Sequence, residues 1–199
     1  MRKVGFHRLK NGMILYYQPD PGVHLAGVGV RAGSIHDPPD KRGMAHYVEH
    51  CVSRRSARFP DGRKVDLLFR KYMGGPDDDI NIRTDKVSTF YGSDHLLYRP
   101  HALKVLGVMA SFVNARERRV DDDGAKKEFP RVHNEYCLRG IDFMEVFLDD
   151  LMHETMYGEN PARNRVDCHL EDLRTFTLED VRRFLRRHYT PPNTFVIIL

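Results

Sequence analysis

Cysteine is scarce in this sequence, and so is net charge. Cys51, Cys137 and Cys168 make an odd count with no two close together. That excludes a disulfide framework and makes a reducing compartment the default. Lys and Arg number 32 against 28 Asp and Glu, leaving +4, and the two signs are interspersed. A nucleic-acid surface would show a basic stripe; the short RRHY and KR clusters read instead as solvated helix faces. No apolar run reaches the roughly 18 residues of a membrane span. The opening residues, MRKVGFHRLKNGMILYYQ, hold no apolar core of signal-peptide length. No internal repeat, low-complexity segment or linker divides the chain. The expectation is a soluble, cytoplasmic protein of one domain, residues 1–199, with no nucleic-acid or membrane partner.

What is present reads as strands first and helices after. GFHRL and MILYYQ flank Lys10-Asn11-Gly12, and Asn-Gly between apolar runs marks a hairpin. HLAGVGVRAGS alternates like a strand with one packed face. DPPDKRG is a loop, and helical spacing begins at Gly43. Val65, Leu68, Phe69 and Tyr72 form an amphipathic stripe that MGGPDDD interrupts. INIRT and VSTFYGS follow as strands. Residues 100–114 and about 129–152 have helical spacing again. Thr177 and Asp180 stand as a capping box for a helix whose stripe is Val181, Phe184, Leu185 and His188, and Pro191-Pro192 stops it. TFVIIL closes the chain as a buried strand. The fold class is α+β: a two-layer arrangement of a mostly antiparallel sheet with helices packed on one face.

The stretch with chemistry in it is GMAHYVEHCV, residues 43–52. At about 100° per residue, His50 lies about 40° from His46 and Glu49 about 60° to the other side. The three polar groups share one helix face, while Val48, Cys51 and Val52 occupy the opposite arc. Two histidines four apart can chelate one metal ion. In a chain with eleven histidines an accidental match, or a functionless exposed face, is the competing reading. A catalytic zinc site takes three protein ligands, and KKEFPRVHNEYC offers Glu128, His133 and Glu135. Glu128 and Glu135 are two helical turns apart and share a face. His133 falls on another face and reads as surface. With Pro130 at a first helical position, where proline is tolerated, Glu128 would lie just before the first turn.

These motifs resemble the pitrilysin, insulin-degrading-enzyme and mitochondrial-processing-peptidase family, whose inverted zincin motif is H-x-x-E-H. LKNGMILYYQPDPG is similar to its opening strand pair, and GVRAGSIHDPPDKRGMAHYVEH to its motif segment. GGPDDDINIRTDKVSTFY matches N-A-x-T-x-x-x-x-T-x-Y at Asn81, Thr84, Thr89 and Tyr91, with Ile82 replacing the small residue. EFPRVHNE matches E-x-x-x-V-x-x-E at Glu128, Val132 and Glu135. RRHYTPPNTFVIIL is similar to the family's helix exit and the strand that follows. The resemblance implies zinc on His46, His50 and Glu135, with Glu49 as general base and Glu128 as the supporting carboxylate. It makes Asn81, Ile82, Arg83 and Thr84 the edge strand to which a peptide adds.

The chain is about half as long as the two-domain members that it resembles. In those, a second domain closes the chamber and supplies an Arg and a Tyr to the substrate carbonyl; no counterpart stands here, and losing such donors typically costs about a hundredfold in rate. A second copy, a separate chain or a longer version of this one would supply them, and a homodimer is the favoured form. The expected function is a zinc endopeptidase for short or unfolded peptides. One alternative is a non-catalytic peptide binder or scaffold for a peptidase subunit. Another is a small-molecule metal enzyme resembling S-ribosylhomocysteine lyase, with Cys137 competing for the third ligand position. Cys51 and Cys137, beside ligand positions, otherwise read as packing.

Overall fold

The sequence of one strand explains the two faces of the sheet. In Ala26–Val30, Ala26, Val28 and Val30 turn to one side and are buried, as strand alternation requires. Gly27 and Gly29 turn to the other. There Phe90 and Phe195 lie so close that a Cβ on either glycine would meet ring carbon within 2.3 Å. Two glycines thus let aromatic rings cover the far face, while the valine face takes the helices.

The computed structural model describes residues 4–18, 23–73, 80–93, 97–139 and 143–199. The elements, in chain order, are β1 (Gly5–Arg8), β2 (Ile14–Tyr17), β3 (Val23–His24), β4 (Ala26–Val30), α1 (Met44–Val52), α2 (Gly62–Met73), β5 (Ile80–Thr84), β6 (Thr89–Ser93), β7 (Leu97–Tyr98), α3 (Arg99–Val113), α4 (Asp122–Arg139), α5 (Phe143–Tyr157), α6 (Leu170–Leu173), α7 (Leu178–His188) and β8 (Thr194–Ile198). The six-stranded sheet runs β1-β2-β8-β4-β6-β5, and β3 pairs with β7 apart from it. Only β2 and β8 pair in parallel within the six. The mostly antiparallel α+β layout is the one read from the sequence, including the hairpin at Asn11-Gly12, where Gly12 takes a φ of 90°. Of MGGPDDD, residues 74–79 lie outside the described residues.

Helices α1 and α3 pack on the valine face. Val28, Val30, Met44, Val48, Val52, Met109 and Phe112 are at most 1% exposed there, each such side chain contributing about 1.5–3 kcal/mol through burial. The α7 stripe Val181, Phe184 and Leu185 is buried as its spacing predicts, and the Thr177–Asp180 capping box forms in both directions.

One boundary differs from the sequence reading. The helical spacing at 129–152 belongs to two helices, and the first begins at Asp122 rather than near Pro130. Asp121 Oδ1 accepts the Gly124 N–H at 2.8 Å, and Asp122 and Asp123 suit the positive end of the helix dipole. Apolar periodicity is weak before Phe129, so the cap rather than the stripe marked this start. Pro130 is therefore inside α4, where it removes the N–H that would meet the Lys126 carbonyl. Glu128 is inside α4 as well, not before it.

Candidate metal centre

The loop before α1 sets where the helix starts. Gly43 takes a φ of 88°, and a Cβ there would meet the Cys168 backbone at 2.3 Å, so only glycine fits. Asp37 accepts the N–H of Gly43 at 2.6 Å and of Ala45 at 2.8 Å, capping α1 from six residues away. Burial pushes its carboxyl up to about 7, against those N–H groups, which favour the ionised form. Arg42 pairs with Asp172 of α6 at 2.7 Å. Residues Met44, Ala45, Val48, Cys51 and Val52 then fill the core, which turns the polar arc of α1 toward α4 and β5.

On that arc the structure brings three donor atoms together. His46 Nε2 and His50 Nε2 are 3.2 Å apart. Glu135 Oε2, from α4, is 3.4 Å from the first and 3.3 Å from the second. A tetrahedral ion with bonds of about 2.0–2.1 Å separates its ligands by about 3.3–3.4 Å, so the triangle has the size of one face of such a site. Two imidazole nitrogens and a carboxylate oxygen are a donor set that zinc accepts, with a fourth direction left open. Cys137 is not part of it. Its thiol is exposed, not packed as expected, and lies 3.7 Å from His133 Nδ1. His133 itself stacks on Phe129. Cys51 is buried against Tyr47, and burial raises its thiol pKa.

The polar arc is buried: His46, Glu49 and His50 are 8%, 6% and 8% exposed, and Glu128 is 4% exposed. Buried charges need partners, and these carboxylates have them. Burial opposes a charge on His50, but Glu128 and Glu135 beside it outweigh that and raise its pKa to about 9. The two imidazoles hold Glu135 well below the usual carboxylate range. Glu128 Oε2 is 3.7 Å from His50 Nδ1, an ion-pair distance rather than a hydrogen bond. Its other oxygen meets Arg131 at 2.5 Å and Arg54 at 3.6 Å. Burial would raise the Glu128 pKa, yet His50 and the two guanidiniums keep it lowered. His46 Nδ1 is buried with no hydrogen-bond partner among the described residues.

A cleft of about 540 Å3 opens over the triangle, lined by His46, Glu49, His50 and Glu135 and walled by Arg54, Phe69 and Arg131. Its other wall is β5, the edge strand of the sheet, through Ile82, Arg83 and Thr84. Asn81 is in the same strand, but its side chain lies outside the described residues. Thr84 Oγ1 donates to Glu49 Oε2 at 2.9 Å, so this residue, read from sequence as part of a peptide-binding edge, also touches the proposed base. Asp37, Arg54 and Arg131 were missed. Nothing marks a loop aspartate as the cap of a helix six residues on, or Arg54 as the partner of a carboxylate on another helix; Arg131 stands one helical turn from Glu128, a spacing the sequence does offer.

The insulinase (peptidase family M16) model matches residues 14–169. The uncharacterized zinc protease YmxG of Bacillus subtilis is 26% identical over 196 residues, which cover 95% of this chain and 44% of that one. The crystal structure of a protease from Helicobacter pylori superposes on all of this chain and 46% of its own, with a TM-score of 0.86 at 23% identity. The first half of the periplasmic protease PqqL from Escherichia coli gives 0.82 at 20% identity, over 98% of this chain and 42% of that chain. The chain spans less than half the length of these proteins.

Proposed function

Because the chain belongs to the insulinase family, peptidase family M16, we propose that it is an endopeptidase holding one zinc ion on His46, His50 and Glu135. The observation that carries this reading is the donor triangle of 3.2–3.4 Å edges with a buried carboxylate, Glu49, one helical turn from one ligand and adjacent to the other. When bound, zinc supplies Lewis acidity and brings the pKa of a water down to about 7. Glu49 accepts that proton and returns it to the leaving amide nitrogen. Its Oε2 is held by Thr84, which leaves Oε1 to carry the proton. Glu128 faces His50 Nδ1 and orients that ring from behind. Arg54 and Arg131 pair with Glu128, which keeps it ionised and offsets its charge toward the base.

The substrate in this reading is a short or unfolded peptide. Among the described residues β5 is paired only with β6 and ends the sheet, so an extended peptide gains main-chain hydrogen bonds by adding beside Asn81, Ile82, Arg83 and Thr84. Residues 1–199 form one metallopeptidase-like unit, and the complete enzyme is a homodimer. What supports the dimer is an exposed apolar set on α5 and beside it: Leu138, Phe147, Leu148, Leu151, Met152 and Met156, a patch of the kind that marks interfaces. Cys51, Cys137 and Cys168 are all free, which fits a reducing compartment such as the cytoplasm.

Metal analysis and a quenched-fluorescence peptide assay test the proposal together. The expected result is one zinc per chain and chelator-sensitive cleavage. Glu49→Gln should keep the zinc and lose a factor of about 10²–10⁴ in rate. Glu135→Gln should lose the metal, while Cys137→Ser should keep it. A zinc-loaded protein that cuts no peptide in a mixed library would favour the non-catalytic peptide-binding reading, which the same β5 edge supports.

A further inference from the structure

We infer that Thr84 is a positioning residue that couples a peptide lying on β5 to the carboxylate of Glu49. The inference rests on the peptidase reading and goes beyond the metal ligands and the base. Among the described residues, Thr84 is the only side chain that hydrogen-bonds Glu49, at 2.9 Å, a half-buried hydroxyl donating to a buried carboxylate. A buried carboxylate with one directed donor has one oxygen fixed and the other free to take a proton. The donor does not come from α1, which carries Glu49, but from the strand at the sheet edge, 35 residues on.

Thr84 is held in turn. It stands opposite Thr89 in the β5–β6 register, with the two hydroxyls 3.3 Å apart. Thr89 donates to the Ala32 carbonyl at 2.8 Å and is fully buried. Alternation puts Ile82 and Thr84 on the same side of β5, and Ile82 packs against the core. The Thr84 side chain is therefore placed by the strand, and β-branching leaves it few rotamers. A peptide that pairs with the open edge of β5 restricts the strand that carries Thr84. The base is thus best fixed when substrate is in place. The same strand both recognises the main chain and orients the group that acts on it.

The test compares Thr84→Val, which keeps the shape and removes the hydroxyl, with Thr84→Ser, which keeps the hydroxyl. In the zinc-loaded protein, Thr84→Val should lower kcat by roughly ten- to a hundredfold, the range expected for losing a hydrogen bond to a charged group. KM should stay within about twofold and zinc content should not change. Thr84→Ser should recover most of kcat. Crystal structures of the two variants give a readout independent of turnover: the Glu49 carboxylate leaves its place in Thr84→Val and keeps it in Thr84→Ser. An unchanged Glu49 in Thr84→Val, or a raised KM with kcat intact, overturns the inference. If the wild type cleaves no peptide, the peptidase reading fails by itself, and the position of Glu49 in the two variants alone decides the role of Thr84.

Discussion

His188 ends α7 with its ring 5.2 Å from that of His36 and 4.5 Å from that of Phe184. Burial, and after it the charges of His36 and Arg187, depress its pKa from 6.5 to about 4. Between those values the unfolded chain binds a proton that the folded chain does not. Stability from a neutral His188 is thus fully present above about pH 6.5 and is lost as the pH falls toward 4. Thermal melts at pH 7 and pH 5 should show a smaller acid-induced drop in Tm for His188→Gln than for the wild type; equal drops would show that His188 takes up its proton as readily in the fold as in the unfolded chain. Residues of this scale were unevenly legible in the sequence. That His46, Glu49 and His50 share one helix face could be read from their spacing, and the resemblance of EFPRVHNE to a known motif pointed to Glu135, which the fold brings beside the two histidines. The bond from Thr84 to Glu49 and the cap that Asp37 places on α1 could not. Each depends on where a loop or an edge strand returns in space, and no local spacing encodes that.

At the level of elements, legibility followed from the strength of the local signal. α7 carries an apolar stripe, a capping box and a diproline stop, and its limits fall where those signals put them. α4 carries its start in three aspartates and a proline in its middle, and an apolar stripe alone misplaces it. The capping box gives a direct prediction. Thr177→Ala removes the acceptor for the Asp180 N–H and should cost about 1 kcal/mol in denaturant unfolding. Metal content and peptide cleavage should be untouched, because α7 contributes no residue to the cleft lining. A loss of zinc in that variant would mean that α7, which packs against α1, sets the ligand geometry from behind.

For the whole molecule the open question is what covers α5. Phe147, Leu148, Leu151 and Met152 are about half exposed, and Met156 is 65% exposed. In the dimer proposed above they lie between copies. Sedimentation equilibrium of the zinc-loaded protein should give a dimer, and Leu151→Glu should weaken it by more than about tenfold, since it buries an unpaired charge at an interface. A strict monomer that cleaves peptides at full rate would rule the dimer out. The order of the sheet has a different consequence, in time rather than in space. The strand that joins its two parts, β8 between β2 and β4, leaves the ribosome after all the others. Until residues 194–198 emerge, the β1–β2 hairpin and the β4-β6-β5 group have no shared backbone pairing. The nascent chain must therefore hold α1, with its histidines, beside an incomplete sheet. Contacts between residues so far apart in sequence are the slow ones to form, so residues 194–198 control when His46, His50 and Glu135 first find a fixed place.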